Sequence, residues 1–275
     1  MGSVISIFSR KGGIGKTTSC VCIGNAFALQ GKRVLMVDAD AQCSMTLYFF
    51  GNDEALYPEG EYNANNGLNL KTVLEDGVPV TDAILEYRFT GRKPGDKHRK
   101  ECRVDILPGD RSLEDSSLPD FHVLAGVLDS LRNKYDYIIL DCPPAWNIVT
   151  ASVLVASDYI LIPLMSNNRA CLDGYGLTLN HIMDIINSGE NPDLTILGSF
   201  LTFTKPNRKA HKRFAEDLTG VSADIGLFDT VIRDSEQPIQ NSWDECKPLW
   251  SLNPHSVAAE CYYELAEEID ERIRA

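Results

Sequence analysis

The stretch Ser9-Arg10-Lys11-Gly12-Gly13-Ile14-Gly15-Lys16-Thr17-Thr18 gathers the residue types that cradle a polyphosphate. Glycines at 12, 13 and 15 let the backbone pass close to an anion, so that successive N–H groups can point at it. Lys16 places a point charge on the terminal phosphates, and the Thr17 hydroxyl is a ligand for Mg²⁺. The pattern Gly, four residues, Gly-Lys-Thr asks for glycine at position 10. Arg10 stands there instead, and a second lysine, Lys11, lies inside the loop. A turn that only joined a strand to a helix would need neither lysine. Two further groups of acids follow apolar runs: Asp38-Ala39-Asp40-Ala41-Gln42 and Asp141-Cys142-Pro143-Pro144. Carboxylates just past the ends of strands sit where open α/β sheets place their ligands, and they can hold a metal or orient a water.

These residues act together only if the surrounding elements converge. Residues 4–8 form a short β-branched run that reads as a buried strand, and residues 20–30 read as a helix closed by Gly31 at its C-cap. Further strands are predicted at 33–37, 104–107, 135–140, 158–163 and 194–203. Helices are predicted at 121–131, 171–186, 209–218 and 256–274, the last started by the cap pair Asn253-Pro254. Residues 51–68 read as a surface loop, 69–76 and 81–87 as short helices or turns, and 91–100 as a flexible basic loop. Strands alternating with helices imply an α/β fold, a mostly parallel twisted sheet flanked by helices on both faces. We expect a single domain over residues 1–275, with a flexible insertion around 51–100.

Composition narrows the function. A formal net charge of −13 on 275 residues excludes a protein that coats nucleic acid over its whole surface. The charge is uneven, however, since residues 205–213 hold five cations and no acid. Lys205, Arg208, Lys209, Lys212 and Arg213, with Arg233, are therefore candidates for a local DNA-contacting face. The segment 92–103 is also mostly basic, broken by Asp96 and Glu101. No apolar run approaches the roughly 20 residues of a membrane span. The first apolar run leads straight into the glycine loop, so no secretory leader is expected. Residues 1–6 formally fit a myristoylation pattern, but the first strand needs them. Eight cysteines without a C-x-x-C spacing read as small core residues and suit a reducing cytoplasm.

Three motifs together resemble a known family. Lys11–Thr18, then Val37-Asp38-Ala39-Asp40-Ala41-Gln42, then Asp141-Cys142-Pro143-Pro144 are similar to the deviant Walker A, A′ and B motifs of ParA/MinD-type ATPases. Asp158–Pro163, Gly174-Tyr175-Gly176-Leu177 and Tyr263–Glu268 resemble the ParA branch, which acts in plasmid partition and chromosome segregation. The likeness covers nearly the whole chain except 51–100. It implies a P-loop NTPase fold of the SIMIBI-like kind and an ATPase, slow and partner-stimulated, that uses ATP and Mg²⁺. By resemblance, Lys11 crosses a dimer interface to the partner's ATP, Lys16 binds the phosphates and Asp40 orients the attacking water. Thr17, Asp38 and Asp141 lie at the metal, and Lys11, Gly12, Gly13, Ile14, Gly15, Lys16, Thr17 and Thr18 hold the nucleotide. Adenine readers are expected among residues 204–207, Pro206 included, and in the loop after Ile232. The implied partners are a second copy in an ATP-sandwich homodimer, a ParB-like or cargo-adaptor protein, and non-specific DNA, in a cytoplasmic, nucleoid-associated setting.

The chain also departs from the family pattern. Ser9-Arg10 stands where Asn-Gln is usual, Ala41 and Ser44 replace Pro and Asn, and Trp146 replaces a smaller residue after the prolines. The loop starts at residue 9, so the helix-turn-helix extension of large plasmid relatives is not expected. A MinD-like membrane role conflicts with the acids of the terminal helix, Glu260, Glu264, Glu267, Glu268, Asp270 and Glu271, which an anionic bilayer repels. A cargo-positioning relative shares every motif. A metabolic relative, either a ligase or an iron-protein reductase, is the remaining alternative, with Cys102 and Cys142 the nearest cluster-ligand candidates.

Overall fold

The computed structural model describes residues 1–51, 67–116, 118, 120–165, 170–204 and 225–275, with only the backbone path for 170–173. Its strands are β1 (Ser3–Ile7), β2 (Val34–Asp38), β3 (Leu85–Gly91), β4 (Lys100–Leu107), β5 (Tyr137–Asp141), β6 (Tyr159–Met165) and β7 (Thr195–Thr202). Its helices are α1 (Lys16–Leu29), α2 (Ser44–Phe50), α3 (Leu70–Glu75), α4 (Val80–Ala83), α5 (Val123–Asp129), α6 (Ile148–Ala156), α7 (Ala170–Ser188), α8 (Glu236–Asp244), α9 (Leu249–Leu252) and α10 (Val257–Arg274). The seven strands form one sheet in the order β3-β4-β2-β5-β1-β6-β7, every neighbouring pair parallel except β3 with β4.

Continuous apolar strands are buried on both faces, as a parallel sheet covered by helices requires. Side chains alternate between two cores. Val4, Leu35, Val37, Ile138, Leu140 and Ile162 belong to the cluster beneath α5, α6 and α7. Ile5, Ile7, Met36, Ile139 and Leu161 belong to the cluster beneath α1, α2 and α10. On the second face, Phe27 of α1 stacks on Tyr137 with ring centroids 4.1 Å apart, and Ser19 shares a buried hydrogen bond of 3.1 Å with Tyr262 of α10. The helix that follows the glycine loop is thus pinned between sheet and terminal helix.

Register matters most for the site. β5 lies between β1 and β2, matched residue for residue, so that Ile7, Asp141 and Asp38 end their strands side by side. The phosphate loop leaves Ile7 at this same edge, the C-terminal ends of the strands, where open α/β sheets bind ligands.

Three local readings change. Residues 81–87 hold the one-turn helix α4 and the start of β3, which runs antiparallel to β4 and makes the basic segment 91–100 the turn of a long hairpin. Its outer face carries Arg88 between Glu86 and Glu101, with Arg103 between Glu86 and Asp105. Charges of this kind discourage an edge strand from pairing with another chain. The terminal helix is capped by Ser256, whose Oγ accepts from the Ala259 N–H, whereas Asn253 closes α9. Gly2 is buried, and its N–H donates to the Arg132 carbonyl at 2.8 Å, which ties the amine into the fold and away from an acyl group. The predicted helix 209–218 lies outside the described residues.

Gly24 lets α1 lie close on β2, because a Cβ there would come within 2.3 Å of the Met36 sulfur. Gly24→Val should cost about 2–3 kcal/mol in urea unfolding, and adding Met36→Ala should recover part of that loss. Additive losses in the double variant would show that the two positions do not press on each other.

Candidate functional site

The loop between β1 and α1 takes its shape from two left-handed glycines, Gly13 (φ 72°) and Gly15 (φ 85°). A Cβ on Gly12 or Gly13 would meet nothing within 4 Å, so the inner side of the loop is open. Gly15 is the N-cap of α1, with no capping side chain and no acid in the first turn. A helix N-terminus left without an internal anion suits an external one. Lys16 is buried, and its ammonium donates to the Lys11 carbonyl at 3.2 Å, across the mouth of the loop. The hydroxyl of Thr202 on β7 donates to the Ile14 carbonyl at 3.1 Å.

Lys11 is different. Its Nζ is screened from solvent and has no hydrogen-bond partner among the described residues, and its stem rests 3.5 Å from where a Cβ on Gly174 of α7 would lie. Arg10 fixes the entrance of the loop. Its N–H donates to the Thr178 hydroxyl (3.0 Å) and its guanidinium to the Pro144 carbonyl (2.9 Å).

Beside the loop sit two fully buried carboxylates, Asp38 and Asp141. Asp38 accepts from both the N–H and the hydroxyl of Thr46 on α2, at 2.8 and 2.7 Å, and that hydroxyl accepts in turn from the Gly109 N–H. One oxygen of Asp141 receives the Cys20 thiol at 3.5 Å; the other, Oδ2, is buried without a partner. Desolvation raises both acids, Asp38 to about 6 and Asp141 to about 8, with the charge of Asp38 adding to the rise at Asp141. The Thr17 hydroxyl opposes that rise from the loop side. Asp40 is less enclosed, and its carboxylate caps the following turn by accepting from the Gln42 N–H at 3.0 Å.

A cavity of about 380 Å³ opens next to Thr18 and is walled by Phe203, Ile232, Arg233, Ile239 and Tyr262. Phe203 is held at φ 52° with its ring against Gly15. An aromatic ring over an apolar floor, one residue from the phosphate loop, suits a planar base. The expected adenine loop after Ile232 lies here, whereas Pro206 lies outside the described residues. Of the six candidate DNA cations only Arg233 is described. It lines this cavity and pairs with Glu260 at 4.0 Å. Lys205, Arg208, Lys209, Lys212 and Arg213 lie outside the described residues.

The residues present fit a nucleotide with Mg²⁺. An unpartnered ammonium at Lys11 and an unpartnered carboxylate oxygen at Asp141 flank an open loop, one seeking an anion and the other a cation. Among the described residues no group of three or more His, Cys, Asp or Glu forms a metal cage, so a cation here must draw ligands from Thr17, phosphate and water as well. Cys102 and Cys142 lie in the cores on opposite faces of the sheet and cannot share a cluster. The seven described cysteines form no disulfide.

Sequence reasoning brought Lys11, Lys16, Thr17, Asp38, Asp40 and Asp141 to one place. It missed Thr46 and Cys20, which hold the two carboxylates. Thr46 stands one helical turn after the acidic motif, a weak signal. Cys20 meets Asp141 only through the packing of α1 on β5.

Comparison with known proteins agrees with this geometry. A family model described as an AAA domain matches residues 2–196. The sporulation initiation inhibitor protein Soj of Bacillus subtilis is 30% identical over 98% of both chains. The chromosome partitioning protein ParA of Caulobacter vibrioides is 28% identical over 98% of this chain and 95% of its own. Among solved structures, the septum site-determining protein MinD of Pyrococcus horikoshii complexed with Mg-ADP superposes with a TM-score of 0.73. It is 26% identical and covers 100% of this chain and 99% of its own.

Folded-state values above the ordinary carboxylate range mean that the metal-free protein holds protons which the unfolded chain releases. Stability therefore falls as pH rises from about 4 toward 8 on account of this pair. In EDTA, Asp141→Asn should gain stability over the parent progressively between about pH 4 and 8, and the difference should level off above pH 8. Thermal melts at matched ionic strength check this, and parallel pH profiles would refute it.

Proposed function

We propose, on the premise that this chain belongs to the ParA/MinD-type family of P-loop ATPases and to its ParA branch, that it is an ATP-driven association switch for DNA partitioning. It hydrolyses ATP slowly, dimerises with ATP bound, holds non-specific DNA as the dimer and is stimulated by a ParB-like partner. The cofactors are ATP and Mg²⁺, and the setting is the cytoplasm and its nucleoid. The observation that carries this reading is the division of labour between two lysines on one loop. Lys16 is buried in its own loop and bonded to it, while the Lys11 ammonium, screened from solvent, has no partner among the described residues.

In this reading Lys16 and the first N–H groups of α1 neutralise the terminal phosphates. Thr17, Asp38 and Asp141 would hold the metal, which when bound would supply positive charge beside the phosphates. Both carboxylates must then be ionised, so metal binding releases protons. Asp40, outside the buried pair, orients the water. Lys11 belongs to the phosphates of the second copy, where it neutralises charge spreading in the transition state. The Thr18–Phe203 cavity takes the base.

A membrane-positioning role finds less support. The apolar stripe of α10, with Ala258, Cys261, Leu265 and Ile269, is fully packed on the core. No helix among the described residues is long and apolar enough to cross a membrane.

Lys16→Ala should abolish nucleotide binding. Lys11→Ala should keep binding of an ATP analogue within a fewfold of the parent yet remain monomeric by light scattering. Dimerisation of Lys11→Ala to the parent's extent would sink the trans role.

The cationic run at 205–213 is the DNA face in this proposal. With six phosphate contacts, affinity of the ATP-bound protein for a random duplex should fall by about 10³-fold or more between roughly 50 and 200 mM salt. Reversal of Lys209 and Arg213 to glutamate should flatten that slope, measured by fluorescence anisotropy; an unchanged slope excludes this surface.

A further inference from the structure

One wall of the Thr18–Phe203 cavity is held from behind by the last two turns of α10. Residues 226–234 run parallel beside β7. The Ser199 N–H donates to the Gly226 carbonyl (3.0 Å), the Phe228 N–H to the Ser199 carbonyl (2.8 Å) and the Ile232 N–H to the Leu201 carbonyl (2.8 Å). The far end of this segment, Ile232-Arg233-Asp234, lines the cavity. Its middle is fixed by two side chains one helical turn apart. The Glu268 carboxylate accepts from the Asp229 and Thr230 N–H groups, one on each oxygen, both at 2.9 Å. The Arg272 guanidinium donates to the Leu227 carbonyl at 2.7 Å, to the Leu197 carbonyl of β7 at 3.2 Å and to Glu268 at 2.8 Å. It also lies 3.8 Å from the centroid of the Phe228 ring. β7 makes room for it. The strand bulges against β6 at Leu197, and a Cβ on Gly198, which sits at φ 153°, would come within 2.7 Å of an Arg272 nitrogen.

We infer that Glu268 and Arg272 are positioning residues for the nucleotide base, acting through the segment 226–234. The inference rests on the reading of the Thr18–Phe203 cavity as the base site and adds what holds its wall in place. Between the buried anchors Phe228 and Ile232 the segment is exposed or half-buried, so packing alone leaves it free to open locally. Charge-assisted bonds to two consecutive N–H groups remove that freedom before any ligand arrives, and a wall fixed in advance spares the ligand the cost of ordering it. Only a planar fork can bond carbonyls of two separate segments at once, which is why the residue on β7 and Leu227 is an arginine. The same helix also reaches the phosphate side. Tyr262 of α10 lines the cavity and shares a hydrogen bond of 3.1 Å with Ser19 of α1, the helix that starts at the phosphate loop. α10 therefore sets the separation between the place for the phosphates and the place for the base.

The test is titration calorimetry on the full chain with Mg²⁺, once with ADP and once with inorganic pyrophosphate, which has the phosphates and no base. Arg272→Ala should weaken ADP about tenfold or more and leave pyrophosphate within about twofold of the parent. Arg272→Lys keeps the charge and loses the fork, and should weaken ADP by about threefold or more with pyrophosphate unchanged. Glu268→Gln keeps one acceptor oxygen and should cost ADP about threefold or less. Arg274→Ala, which breaks the 2.9 Å pair with Asp270 at the end of the same helix, should change neither ligand. A variant that merely folds less well loses both ligands in proportion, so the ratio of the two affinities reads position apart from stability. Where the alanine variant folds poorly, Arg272→Lys carries the test. Equal losses of ADP and pyrophosphate, or an ADP affinity in the Arg272 variants like the parent's, overturn the positioning role and leave the base reading intact. A parent that binds ADP no more tightly than pyrophosphate overturns both.

Discussion

Two carboxyl groups held side by side in a dry site, where both cannot easily be charged at once, are the constraint on which the rest of the structure turns. The parallel register of β2 and β5 ends both strands on an aspartate, and neighbouring strands lie about 4.8 Å apart. Two carboxylates at that spacing repel by about 3 kcal/mol at an effective dielectric of 20. Desolvation adds to the penalty. The fold meets it partly with the Thr46 bonds to Asp38 and the Cys20 thiol on Asp141, and leaves one oxygen unsatisfied. A site so arranged is unfinished without a cation. The phosphate loop on the other side of Asp141 is unfinished without an anion. A metal–polyphosphate meets both needs, which explains why the two halves lie on adjacent strands.

The lysines divide the same way. Lys16 is enclosed and its charge is absorbed by a loop carbonyl, so it serves whatever enters its own loop. The Lys11 ammonium is also screened from solvent but has no acceptor among the described residues. On a chain of net charge −13, a loop carrying Arg10, Lys11 and Lys16 is a local exception.

Much of this was legible in the chain because the signals are local. Glycines, lysines and a threonine at fixed spacing between a β-branched run and a helix specify the loop, and two apolar strands ending in acids specify the metal side. What the sequence concealed is non-local or short. Only the family resemblance set Asp38 and Asp141 at one metal; residue spacing alone does not show that β5 inserts between β1 and β2 and makes them neighbours. The helix α2 begins after Cys43, a left-handed residue with no capping side chain, so no start signal marks it. For α6 the signal existed, since the Asn147 side chain accepts from Thr150 three residues on, but it followed a proline pair that reads as a loop. β3 alternates Glu86, Arg88 and Thr90 with Tyr87 and Phe89, a strand pattern hidden by a window that straddled α4. Thr46 and Cys20 act through tertiary contacts alone.

Arg10 shows how a departure from a motif can carry structural meaning. Glycine at that position offers backbone freedom; arginine there joins three segments. Its N–H reaches α7, its guanidinium reaches the segment two residues beyond Cys142, and it lies within the phosphate loop itself. Movement of the loop relative to Pro144 or Thr178 must break one of these bonds, each worth about 1 kcal/mol and the charged one more. The loop, the turn after Asp141 and the α7 face on which Trp146 stacks are therefore held as one joint. A ligand that repositions the loop acts on that face directly, through bonds of a single side chain and its own backbone.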